Sequence, residues 1–78
     1  MNNEQRLRTF LRNRFPGFDD SFESTEDLSL VVDSLGLFDL LEFVEREFDV
    51  EVPTAEFSPV KFSSISRILE FVDQLQAQ

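Results

Sequence analysis

The sequence predicts an all-α fold: a three-to-four-helix bundle with a long loop between helices one and two. Three observations predict it. Apolar residues recur at three-to-four spacing over residues 3–15, 34–48 and 65–76. Pro16-Gly17, Asp33 and Ser58-Pro59 punctuate the chain with stop and start signals of helical type. The one alternating segment, Asp49-Val-Glu-Val-Pro53, has no second strand to pair with, so it reads as an extended linker.

Helix one carries Leu7, Phe10, Leu11 and Phe15 on its apolar face, with arginines on the others, and Pro16-Gly17 stops it. Residues 16–32 form the long connection. Its apolar residues, Phe18, Phe22, Leu28, Leu30, Val31 and Val32, have no clean period. A loop this long in a small domain is functional or packed by its own side chains, and these six are expected to be buried across the helices. Asp33 is the expected N-cap of helix two, its carboxylate bonding first-turn amides and complementing the helix dipole. Leu37, Leu40, Leu41, Val44 and Phe48 form the inward stripe of helix two. Leu35 and Phe38 extend the apolar surface to a second stripe, and Phe43 is expected to be partly exposed. Asp39, Glu42 and Glu45 make an acidic strip along the same helix. Thr54 to Phe57 can form one helical turn. Ser58-Pro59 supplies an N-cap and a first-turn proline for another, through Phe62. A capping serine at Ser63 or Ser64 starts the last helix, whose buried face is Ile65, Ile68, Leu69, Val72 and Leu75.

The chain has 78 residues, enough for a single domain over 1–78. A domain of this size buries only about 60% of the surface its unfolded chain exposes, which leaves little room for a deep catalytic cleft. There is no Cys and no His, which rules out disulfides, Cys/His zinc sites, and Ser–His or Cys–His nucleophilic pairs. No phosphate-binding Gly loop is present either, so an enzyme is not expected. No run of about 18 apolar residues exists and the N-terminus lacks a signal-peptide stretch, so a cytoplasmic location is the default expectation. The net charge of −9 is unevenly placed. Residues 1–15 carry +3, residues 19–51 carry −11 and residues 52–78 carry −1. Such an acidic stretch repels nucleic acid and anionic lipid and attracts basic protein surfaces. Asp19, Asp20, Glu23, Glu26 and Asp27 lack EF-hand spacing, with Ser24 and Leu30 where Gly and Glu are needed. No metal site is expected.

At Asp33-Ser34-Leu35 the chain resembles the acyl and peptidyl carrier proteins. The stretch from Asp33 to Pro53, DSLGLFDLLEFVEREFDVEVP, shares with that family the serine, the apolar spacing after it, the Glu-Phe near the helix end and the Val-Pro turn. Helix order and loop length match from about residue 3 to 76. Gly36, Val-Pro, Glu56-Phe57 and Phe62-Ser63-Ser64-Ile65 are similar to the small stand-alone D-alanyl carrier proteins. Phe62 stands where that family commonly has Trp, and Val31-Val32 where many carriers have Gly.

The resemblance implies a bundle of acyl-carrier type and a chain that is not itself an enzyme. It implies an acyl or aminoacyl carrier whose cargo is a thioester on a 4'-phosphopantetheine arm attached to Ser34. The arm comes from coenzyme A through a phosphopantetheinyl transferase. An adenylating ligase or acyltransferase with a basic docking patch then loads it. Asp33, Leu35, Phe38, Asp39, Glu42 and Glu45 become the expected docking residues, on a monomer that binds neither nucleic acid nor membrane. Gly36 and the Phe62-Ser-Ser segment favour a specialised carrier over the housekeeping fatty-acid one; fatty acid and secondary metabolite biosynthesis both stay open. Taken alone, Ser34 reads as a first-turn residue and the acidic strip as a solvated face. The rival reading is therefore an unmodified acidic helical adaptor for a basic protein partner.

Overall fold

The structure, a computed structural model, describes residues 2–77. Three α-helices, α1 (Asn3–Arg14), α2 (Ser34–Glu47) and α3 (Ile65–Gln76), carry the fold. Three short 3-10 turns lie between them, at Leu28–Leu30, Thr54–Glu56 and Pro59–Phe62, and there are no strands among the described residues. The helical-bundle expectation holds. The first two helices stop one residue earlier than their apolar periods, because Phe15 and Phe48 act as C-caps whose N–H groups still bond back to Leu11 and Val44.

Local chemistry explains each helix start. Asn2 and Gln5 form a reciprocal capping box on α1, with bonds of 2.8 and 3.1 Å. Ser64, not Ser63, caps α3 by accepting from the Arg67 amide at 3.1 Å. Ser58 caps the Pro59–Phe62 turn, with proline at its first position. Residues 50–53 carry no helix or strand, and the backbone is extended at Pro53.

The core is one cluster. Leu7, Leu11 and Phe15 from α1 meet Leu40, Val44 and Phe48 from α2, and Ile65, Ile68 and Val72 from α3. Phe71 joins them although its position lies outside the stripe read from the sequence. It is buried edge-on against Phe62, centroids 5.8 Å apart, under the ammonium of Lys61 at 4.6 Å. Leu69 and Leu75, expected in the buried face, are only partly buried. Phe43 is half-buried, stacked on Phe10 at 4.2 Å.

The long connection is packed by its own apolar residues, with one correction. Phe18, Leu28 and Val32 are buried and Phe22 and Val31 pack against the core, but Leu30 is 74% exposed. Asp27 caps a 3-10 turn there by accepting from the Ser29 amide. A three-residue turn that points Leu28 inward cannot also bury Leu30. The loop is tied down by main-chain bonds to the start of α3: Leu28 N–H donates to Ser63 at 2.7 Å and Ser66 N–H donates to Ser24 at 2.8 Å. Arg8 fixes its middle by donating to the Phe22 carbonyl at 2.8 Å. The loop thereby delivers Asp33 and Ser34 to one end of the bundle in a set position.

Candidate functional site at the start of the second helix

Asp33 is the N-cap of α2, with extended backbone, and its carboxylate accepts from the Gly36 amide at 2.7 Å. Ser34 is therefore the first helical residue. Its side chain is exposed. A helix turns about 100° per residue, so Gly36, Leu40 and Val44 share an arc of about 80° facing the core. Ser34, Phe38, Glu42 and Leu35 fall within an arc of about 100° on the opposite side. The same period that buries α2 thus presents Ser34 to solvent.

The backbone around the hydroxyl suits an anion. Asp33's carboxylate is turned into the helix start to satisfy Gly36. Among the described residues, the amides of Ser34 and Leu35 have no acceptor. These are the donors a helix leaves free at its positive end, where a phosphate is favoured. Beside Ser34 lies a cleft of about 220 Å³, lined by the apolar Leu28, Val32, Leu37, Pro59 and Phe62 together with the polar Asp27, Ser29, Asp33 and Ser63. Ser34 lines this cleft and is exposed.

Gly36 is required by a close approach. A Cβ placed there would lie 2.5 Å from Phe15 Cε1 and 3.0 Å from Phe15 Cζ. The end of α1 is wedged against the first turn of α2, and only a residue without a side chain admits it.

The other expected docking residues are not equivalent. Leu35 and Phe38 stand out at 77% and 59% exposure, although Phe38 leans on Phe57 with centroids 5.9 Å apart. Glu42 is exposed and pairs only loosely with Arg46, at 3.8 Å. Asp39 is engaged by Arg14, whose Nε and Nη2 both donate to one carboxylate oxygen, at 2.9 and 2.5 Å. Glu45 turns the other way and accepts from the Val52 amide at 2.9 Å, fixing the linker after α2. Helix phase explains only part of this: Asp39 falls about 40° beyond the outer arc, whereas Glu45 falls within it and is drawn away by the Val52 amide.

Two exposed apolar side chains escaped the sequence reading, Leu30 and Val60. Their neighbours Ser29 and Pro59 line the cleft beside Ser34. A bulky residue inside a capped three- or four-residue turn was the only available signal. The acids of the long loop have structural partners: Asp19 bonds Ser21, Asp20 pairs with Arg12 at 3.1 Å, and Glu26 accepts from the Glu23 amide. The basic first helix is likewise paired off, Arg6 with Glu47 at 3.7 Å and Arg8 with Glu4 at 3.0 Å.

No family model matches the chain. The chain is similar to the D-alanyl carrier protein of Streptococcus uberis, 37% identical over 46 residues, which is 59% of this chain and 58% of that protein. It is 35% identical over 46 residues, with the same coverage, to the D-alanyl carrier proteins of Streptococcus pyogenes serotypes M5 and M1. The chain thus spans less than two thirds of the length of the curated relatives it matches. These relatives support the carrier-protein resemblance, with D-alanyl carrier similarity. No helix among the described residues is long and apolar enough to cross a membrane.

Proposed function

We propose that this chain is a carrier protein that holds an acyl or aminoacyl cargo on a phosphopantetheine arm attached to Ser34. One observation carries the reading: the Ser34 hydroxyl stands exposed at the first position of α2, beside unpaired amides and an open cleft. The residues fit the group. The free amides of the first turn and the helix dipole accept a phosphodiester, and Asp33 is committed to Gly36. The cleft walls offer the arm an apolar surface.

In the attachment step Ser34 Oγ gives up its proton to a base on the transferase and bonds to phosphorus. The phosphoanhydride of coenzyme A breaks, and the nucleotide half leaves with that electron pair. The bound arm supplies the thiol that forms the cargo thioester. Everything left to this chain is placement: α2 holds the attachment oxygen at its capped first turn, and its outer face meets the partner. Leu35 and Phe38 offer the apolar contact, and Glu42 offers the open charge. Such contacts speed encounter and set selectivity more than they raise affinity, which suits a protein that must release each partner. The adenylating ligase that charges the arm is the expected second partner. The names of the relatives favour an amino-acid cargo of D-alanyl type over a fatty-acyl one.

The test is direct. The purified chain is incubated with coenzyme A and a broad-specificity transferase, then weighed. A gain of one phosphopantetheine on the wild type, with none on Ser34→Ala, is expected. No gain, or an equal gain on both, ends the carrier reading and leaves the unmodified adaptor.

A further inference from the structure

We propose that Arg14 is a specificity-determining residue that competes with partner cations for Asp39, so that the first helix sets the electrostatic strength of the docking face. The inference rests on the carrier reading of Ser34. Arg14 ends α1, and its guanidinium lies over the ring of Phe15, 5.0 Å from the centroid. From there it makes two bonds to one oxygen of Asp39. The arginine is therefore held from below by a buried ring and aimed at the flank of the outer face of α2. Both side chains of the pair remain nearly half exposed, at 47% and 46%.

That exposure makes the pair exchangeable. An ion pair at the surface is a weak contact, and an incoming guanidinium or ammonium can take Asp39 once Arg14 swings away. Until then the docking face shows one weakly held acid, Glu42, which meets Arg46 only at 3.8 Å with both side chains 72% exposed. A partner with a single cation opposite Glu42 has only that loose pair to displace. One that also needs Asp39 must displace Arg14, and is slowed. The carboxylate of Asp39 sits one turn and a little more from Ser34, so the competition bears on the encounter that brings an active site to the hydroxyl.

Arg12 supplies the internal control. It carries the same charge on the same helix, but its partner is Asp20 in the long loop, with bonds of 3.1 and 3.2 Å. Removing either arginine changes net charge equally. Only removal of Arg14 frees an acid on α2.

The experiment measures the initial rate of Ser34 loading, by mass, with coenzyme A and a transferase of basic docking surface at limiting carrier concentration. At low salt Arg14→Gln is expected to raise kcat/KM about two- to five-fold, the range a surface ion pair allows. Arg14→Lys, a weaker single-point donor, is expected to give a smaller rise. Arg12→Gln should give less than either. The gain should vanish in Arg14→Gln/Asp39→Asn and fade at high salt. A rate at or below wild type for both Arg14 variants, with helicity intact, overturns the proposal. An equal rise for Arg12→Gln does so too, by tracing the effect to net charge. Failure of the carrier reading is distinguishable, since the wild type itself would then not load.

Discussion

Gly36→Ala tests how α1 and α2 meet at the attachment site. On an isolated helix the change is favourable, since alanine is preferred to glycine by about 0.8–1 kcal/mol. Here the new methyl would sit 2.5 Å from Phe15 Cε1, where ordinary contact begins at 3.4 Å. The ring must withdraw by roughly 1 Å in an interior packed like a crystal. It has little freedom to do so: it is 4% exposed, has Phe10 edge-on at 6.1 Å, and carries Arg14 over its face at 5.0 Å. Overpacking of this kind costs about 1–3 kcal/mol. Against the propensity gain, the net expectation is a destabilisation of about 1 kcal/mol. Thermal unfolding followed by circular dichroism should show a melting temperature lower by about 4–8 °C for a domain of this size. A double-mutant cycle with Phe15→Leu makes the cause specific. The smaller side chain should absorb the methyl, giving a compensating coupling of about 1 kcal/mol. A Gly36→Ala protein that melts higher than wild type, or a cycle with no coupling, would refute the wedge between Phe15 and Gly36.

Two further outcomes follow from local geometry. Asp49, just past the end of α2, has a φ of 52°, the left-handed region that costs a side-chain-bearing residue roughly 1 kcal/mol. The Val50 amide closes the helix end onto Glu45 at 3.2 Å, so the conformation is held in place. Asp49→Gly also removes a negative charge from the negative end of the dipole, and should raise stability by about 0.5–1 kcal/mol. A lower melting temperature would contradict it. The Asp27 carboxyl is held below the ordinary value of 3.8 by the Ser29 backbone amide first and the Ser29 hydroxyl second. A depressed folded-state pKa adds stability above the unfolded value, and this is lost as pH falls through the folded one. The melting-temperature advantage of wild type over Asp27→Asn should therefore be full at neutral pH and shrink only below about 3.8. Nuclear magnetic resonance titration of Asp27 with a midpoint at or above the ordinary value would contradict this.

The features legible in residue order are those that depend on near neighbours. Asp33 caps the first turn of α2, a serine at 63 or 64 opens α3, and the period of α2 turns Leu40 and Val44 inward and Ser34 outward. Such interactions close within one helical turn, so residue spacing is enough to read them. The tertiary structure alone decided what the same residues meet from elsewhere in the chain. Asp39 is claimed by Arg14 from 25 residues before it, Glu45 by the linker at Val52, and Gly36 is demanded by a ring on another helix. Phe71 went inside for the same reason, against Phe62. Burial and ion pairing belong to surfaces brought together by folding, and a one-dimensional pattern of apolar and charged residues does not say which surfaces meet.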